Sequence, residues 1–448
     1  MIDSIRRSMR RLNYRLLMSL ILLGLIPTIY TTVRVFLIGQ LPDDWGFNIA
    51  SQLAWVHLLY EVLQEAIILP LFYFIGKAIY DRINLTKKVR TGLIFTGTIY
   101  VALSMLIIVF AEPIIRFMAQ EVELIDATAT YVRLETVAEI FSMLVRFLLV
   151  VIVVIDKDRY IYYVLGLRMV LTIVLDVFLV STLSFSLSLG VNGIAITNII
   201  VNILMLVLAY GILKREHVFL FAKQKLSFGW IKELSRVGGI SGFESLIRNL
   251  AFMLMIIRMV NVVGEQGTFW VANNFIWGWL LLPVLQLGEL IKRDCGEDEN
   301  AIKEKSLGYF AVTAIIVLLW ALTLPLWIPF FRDVLRLDHY QDVFDVVLIS
   351  VGFYVLFAFN NVIDSIFYGI GKTSYMLFQS VVINSVFYGT AFVLYLTGIY
   401  QPTLTSIALM FAMGIAFDSL LTFGMYVWML KKRNIDLFAE EIVLEMAG

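Results

Sequence analysis

The chain is 448 residues long, 60% hydrophobic and only 16% charged, with 35 basic and 35 acidic side chains that cancel. A typical soluble domain carries about 25% charged residues, so a soluble core of this size is excluded. With one cysteine, Cys295, a disulfide framework and a thiolate metal site are excluded as well.

Twelve long apolar stretches follow one another, over about 14–40, 47–80, 89–112, 123–155, 159–182, 190–213, 233–263, 267–291, 307–330, 341–370, 373–399 and 402–430. Each reaches the roughly 20 helical residues that cross a hydrocarbon layer about 30 Å thick. The first follows a basic tail (Arg6, Arg7, Arg10, Arg11), but it is too long for a signal-peptide core and lacks a small-residue cleavage site. It is therefore taken as the first span. Assigning the N-terminal tail and every second link to one side places 26 of the 35 basic residues there or at the bordering span ends. Lys87, Lys88, Lys214, Arg215, Lys292, Arg293, Lys431, Lys432 and Arg433 are among them. The other side holds three, Arg116, Arg332 and Arg336. Basic links stay cytoplasmic during insertion, so the chain is expected to cross a plasma (inner) membrane many times with both termini cytoplasmic.

No Walker A motif, dinucleotide glycine loop or nucleophile elbow occurs, and His57, His217 and His339 lack metal-ligand spacing. An enzyme is not expected, nor a bound cofactor, nor a nucleic-acid partner. Transport would draw on an energy source other than ATP.

The longest link on the basic side, Lys214 to Lys232, divides the spans six and six. Lys157 and Tyr160 open the fifth span as Lys372 and Tyr375 open the eleventh, an offset of 215 residues. Val62-Leu63-Gln64, followed by Glu65, is echoed by Val284-Leu285-Gln286, followed by Glu289, at an offset of 222. The sixth and twelfth spans both end on basic pairs. The expectation is an all-α membrane protein with twelve transmembrane helices in two pseudo-symmetric six-helix lobes. The N-lobe covers 1–213, a link 214–232, the C-lobe 233–430 and a tail 431–448. Two such repeats around an axis along the membrane normal place a cavity between them. Pro27, Pro70 and Pro283 interrupt the first, second and eighth spans, where a missing N–H permits a bend.

A charge at the bilayer centre costs about 2.5–3.5 kcal/mol and normally faces a partner or a cavity. Arg34, Arg146, Arg168, Arg248 and Arg258 fall within spans, as do Glu61, Glu65, Glu139, Asp176, Glu244, Glu289, Asp364 and Asp418. Arg168 and Arg258 are expected to snorkel to a helix end. Glu61 and Glu65, four apart with Gln64 beside them, share a face expected to line a cavity; an ion pair with a neighbouring arginine is the structural alternative. Asn360 and Asn361 place at least one amide inward, most simply as a link between helices. Trp270, Trp277, Trp279 and Phe359 are expected chiefly as interface anchors or packing, with a cavity role open to each.

Leu189-Gly190-Val191-Asn192-Gly193-Ile194-Ala195-Ile196-Thr197, preceded by Val174-Leu175-Asp176, resembles the fifth-to-sixth-span signature of the multidrug and toxic compound extrusion (MATE) transporters. Phe367-Tyr368-Gly369-Ile370-Gly371-Lys372-Thr373 resembles that family's glycine turn between spans ten and eleven, and Val33 to Leu41 its first-span ending. The resemblance implies an antiporter that exchanges organic, often cationic, small molecules for Na+ or H+ within membrane lipid, and a monomer. It also implies an N-lobe cation site, to which Asp176 and Thr197 correspond. Thr172 stands where that family has Asn, and Arg34 where it has Asp. In the C-lobe the usual acid of the seventh span falls near Asn249, with Glu244 close by and Arg248 adjacent, and that of the tenth near Asn360 and Asn361. Arg34 is accordingly expected to pair with Asp176 as a tethered cation, moving ion coupling to Glu61, Glu65 or Asp364. The alternative is an ion pair that only orients two helices. A flippase for a lipid-linked saccharide or other anionic lipid of the same superfamily is the second functional expectation, suggested by the many intramembrane arginines.

Overall fold

The computed structural model describes residues 2–41, 45–157, 159–221 and 226–437; part of the central link and the tail from 438 onward lie outside them. Eleven single helices and one bent pair are long and apolar enough to span, which gives the twelve spans expected. In order they are Tyr14–Ile38, Trp45–Gly76, Arg82–Val109, Val122–Val154, Arg159–Leu179, Val191–Arg215, Ile231–Val262, the pair Gln266–Leu280 and Leu282–Glu297, Ala301–Val334, Tyr340–Gly369, Ser374–Leu396 and Leu404–Lys432. Among the described residues no strand forms.

Local chemistry sets several ends. Asp81 accepts from the Ile83 and Asn84 N–H groups, and Thr403 with Ser406 forms a capping box, satisfying first-turn donors that hydrocarbon would leave orphaned. The glycine motifs have a steric cause. Gly190 turns at φ +58°, and a Cβ on Gly193 would lie 2.8 Å from the Leu179 carbonyl oxygen. Gly371 turns at φ +69°, and a Cβ on Gly369 would lie 2.7 Å from that of Cys295.

The prolines act unequally. Pro27 sits within a continuous helix. The second and eighth spans each carry a π-turn shortly before their proline, Gln64–Ile68 before Pro70 and Ile276–Leu280 before Pro283. Proline removes an N–H and crowds the preceding carbonyl, and widening the turn relieves both. At Pro283 the axis bends by 51°. These equivalent defects lie 213 residues apart (283 − 70), close to the 215 of the fifth and eleventh spans. The Val-Leu-Gln echo at 222 is therefore out of register: Gln64 opens a π-turn, whereas Gln286 follows a proline. Cys295 is likewise no link residue; the eighth helix runs on to Glu297 and buries it.

Core packing falls largely within each set of six spans but crosses between them, with Leu234 and Ile257 of the seventh span in cores of the first six. Leu12, Leu17 and Val35 join the core of the last six. Ahead of them the helix Ile2–Arg10 lies on the ninth span, where the Gly308 N–H donates to Ser8 Oγ at 2.7 Å and Arg11 meets Glu304 at 2.7 Å. The two halves also meet where the second and seventh spans cross at Gly238, Gly242 and Ala66.

Candidate functional site

Between the halves lie two adjoining cavities, about 730 Å³ on the side of the first six spans and 520 Å³ on that of the last six; both touch Glu61 and Asn273.

On the first side, Arg34 Nε donates to Asp176 Oδ2 at 2.6 Å, and its Nη2 donates to Asn198 Oδ1 at 2.7 Å. Asn198 Nδ2 donates to both oxygens of Glu135, at 2.8 and 3.0 Å. First, fourth, fifth and sixth spans thus converge on one network in which each carboxylate has a donor. The expected Arg34–Asp176 pair exists: Asp176 is fully buried, while Arg34 reaches the cavity. Thr172 lines the cavity; Thr197 is fully buried, and its Oγ1 has no partner.

At the junction Arg248 collects three carboxylates, Glu244 at 3.0 Å, Glu61 at 3.1 Å and Glu65 at 2.8 Å. Glu61 and Glu65 therefore both line the cavity and pair with an arginine. Gln64 accepts from Arg146 at 2.6 Å. Asn249 is buried and donates to the Leu58 carbonyl at 2.9 Å, joining seventh span to second.

On the other side, Asn360 Nδ2 bridges Asp364 Oδ2 at 3.1 Å and Asp418 Oδ2 at 3.0 Å, and Gln379 Nε2 donates to Asp418 Oδ1 at 2.6 Å. Four oxygens in the same three helices, Asn360 Oδ1, Asp364 Oδ1, Gln379 Oε1 and Thr422 Oγ1, are buried without a partner. Buried acceptors are ordinarily satisfied, and three of these, Asp364 Oδ1 and the amide oxygens of Asn360 and Gln379, belong to the cluster that holds the two carboxylates. Asn361 donates to the Val284 carbonyl and lines the cavity.

Several residues depart from expectation. Arg168 does not snorkel: its place in the middle of the 21-residue fifth span turns it into the first cavity. Arg258 does sit near a helix end, donating to the Phe117 carbonyl and covering that ring. Trp270 and Trp277 line the cavities, Trp279 donates to Thr32, and Phe359 stacks on Phe310 away from both. Glu135, Asn198 and Gln379 escaped the sequence reading, and Asp418 was noted only as a buried charge. Glu135 stands four residues before Glu139, the same spacing as Glu61 and Glu65, and Asn198 directly follows the glycine motif; both signals were available.

Residues 73–178, from late in the second span to the end of the fifth, match the family model MatE. The chain also aligns with an inward-facing multidrug resistance MATE family transporter of the MOP superfamily, covering 91% of this chain and 95% of that one at 16% identity and a TM-score of 0.75. This is the MATE fold. An outward-facing MATE transporter aligns over 94% of this chain and 96% of its own at 16% identity and a TM-score of 0.64. A MATE crystal structure in complex with Br-NRF covers 94% and 96% at 15% identity, with a TM-score of 0.62. No curated protein matches the chain in sequence. With the MATE fold comes an integral, multi-pass membrane protein whose fold relatives are transporters and not enzymes.

Proposed function

We propose that this MATE-fold chain is a secondary active transporter that extrudes organic cations across the inner membrane by antiport, its coupling ion taken at Asp364 and Asp418. The contrast between the two networks carries the reading. Asp176 is bonded by a guanidinium, while Asp364 and Asp418 are held only by neutral amides and Asp364 Oδ1 has no donor among the described residues. Carboxylate and amide oxygens suit a hard ion such as Na+, and a proton on either carboxylate would supply a donor equally. Seven carboxylates and five Lys or Arg side chains line the two cavities, a balance that favours cationic cargo and counts against an anionic lipid headgroup.

Alternating access would open and close the two halves around the junction at Arg248. At the end of the molecule away from the termini, Gln52 and Asn261 exchange hydrogen bonds at 3.0 and 3.1 Å, and Gln266 donates to Gln120 at 3.0 Å. This amide belt, with the higher TM-score against the inward-facing relative, supports a state open toward the basic face that carries both termini, here the cytoplasm. One copy contains both cavities, which supports a monomeric working unit.

The test is reconstitution into proteoliposomes with an imposed Na+ or H+ gradient and a fluorescent organic cation inside. Gradient-driven efflux that Asp418→Asn abolishes is expected. Efflux indifferent to both gradients, or undiminished in Asp418→Asn, would sink the reading.

A further inference from the structure

The cavity on the side of the first six spans holds a charge its own network leaves unused. Arg34 is committed to Asp176 and Asn198, and Arg248 to three glutamates. Arg168 makes no hydrogen bond, ion pair or ring contact among the described residues, yet it lines the cavity from the middle of its span. Arg146 lines the same cavity. Its one short contact is the neutral Gln64 amide at 2.6 Å, and Glu139, at 4.0 Å, is also shared with His57 at 3.7 Å.

Both guanidinium groups stand at similar depth, roughly 12–14 Å along their helices from the ends nearest the termini. A guanidinium offers five N–H donors in a planar fork that matches carboxylate and phosphate oxygens. In a membrane-spanning segment such a charge normally has a partner or a functional reason to lack one.

We infer that Arg168, assisted by Arg146, forms an anion-binding subsite that takes a carboxylate or phosphate group of the transported molecule. This rests on the transport reading above and narrows its cargo. Glu135 of this cavity is bonded by Asn198 and Glu139 lies by His57. With further carboxylates at Arg248 and at the Asp364–Asp418 cluster, the preferred solute carries both charges, its anionic group at Arg168 and its cationic group toward the second half.

Two dyes that differ by that one charge make the test: rhodamine B, a zwitterion with a free carboxylate, and its ethyl ester, a cation. Binding of each is measured by fluorescence polarisation on the purified full chain in nanodiscs. The zwitterion is expected to bind tighter than the ester by about tenfold or more, the range of a charge-assisted hydrogen bond. Arg168→Gln should remove that preference by weakening zwitterion binding, and Arg168→Lys should restore part of it. A far-ultraviolet circular dichroism melt checks each variant's fold, and Arg146→Gln, tested alongside, should lower zwitterion affinity if Arg168→Gln is poorly folded. Equal affinities for the two dyes, or a preference that survives in both glutamine variants, overturn the subsite while leaving cation transport standing. Failure of wild type to bind either dye overturns both.

Discussion

The two halves of the molecule repeat one helical plan but treat buried charge in opposite ways. Around Asp176 every carboxylate oxygen is met, by the Arg34 guanidinium or through the Asn198 amide. Around Asp418 the amides of Asn360 and Gln379 have given their hydrogens to carboxylates, and their own carbonyl oxygens are left without a donor. One residue on the first span marks the difference: Arg34 gives the first network a cation bonded to its carboxylate, whereas among the described residues no base is bonded to Asp364 or Asp418.

The largest effect that would break this comparison lies at the Asp176 network. Asp176→Asn leaves Arg34 buried with a neutral partner, and removing one member of a buried pair costs about 3–5 kcal/mol. The melting temperature should fall sharply, and adding Arg34→Gln should recover much of it. A single variant as stable as wild type would mean that Arg34 is already solvated. Arg34→Ala opens the converse experiment, since Asp176 would gain room for a dissociable ion. Its melting temperature should become dependent on Na+ or on pH, and a folded variant without that dependence removes the tethered-cation idea.

At the Asp364–Asp418 network, a coupling ion at 100 times its Kd should stabilise wild type by about 2.7 kcal/mol. Asp418→Asn should lose that increment in a thermal-shift titration. Retention of the increment would place the ion elsewhere. Asn261→Leu, which cuts the belt between the halves and strands Gln52 and the Met118 carbonyl, should cost the contact at the end away from the termini about 1–3 kcal/mol. Spin labels on the second and seventh spans at that end would report the gain in separated molecules. Glu112→Gln breaks an exposed pair with Arg116, worth roughly 0–1 kcal/mol at most. It serves as the charge change that should move neither network.

The spans were legible because hydrocarbon thickness acts on the chain one segment at a time. The Arg34–Asp176 pair was legible for another reason: a motif supplied one member, and the cost of an unpaired arginine demanded the other. What stayed hidden depends on how helices face each other. Asp364, Gln379 and Asp418 come from three different spans and share no spacing, and an amide such as Asn198 or Gln52 is cheap enough in an apolar run to pass unnoticed until its neighbours are known. Arg168 shows the same limit from the other side. Its position suggested escape to a helix end, whereas the rotation of its helix, set by packing, turns it toward the cavity of the first six spans.

The docking of the N-terminal helix on the ninth span has a mechanical consequence. Leu12 and Leu17 bind the start of the first span to the second half, while Arg34 binds its far end to the first half. That helix is thus a strap fastened across the seam at both ends, with Pro27 between the fastenings. Any stroke that draws the halves apart must stretch, swing or fold the strap, and the turn without its full set of backbone hydrogen bonds is where it yields first.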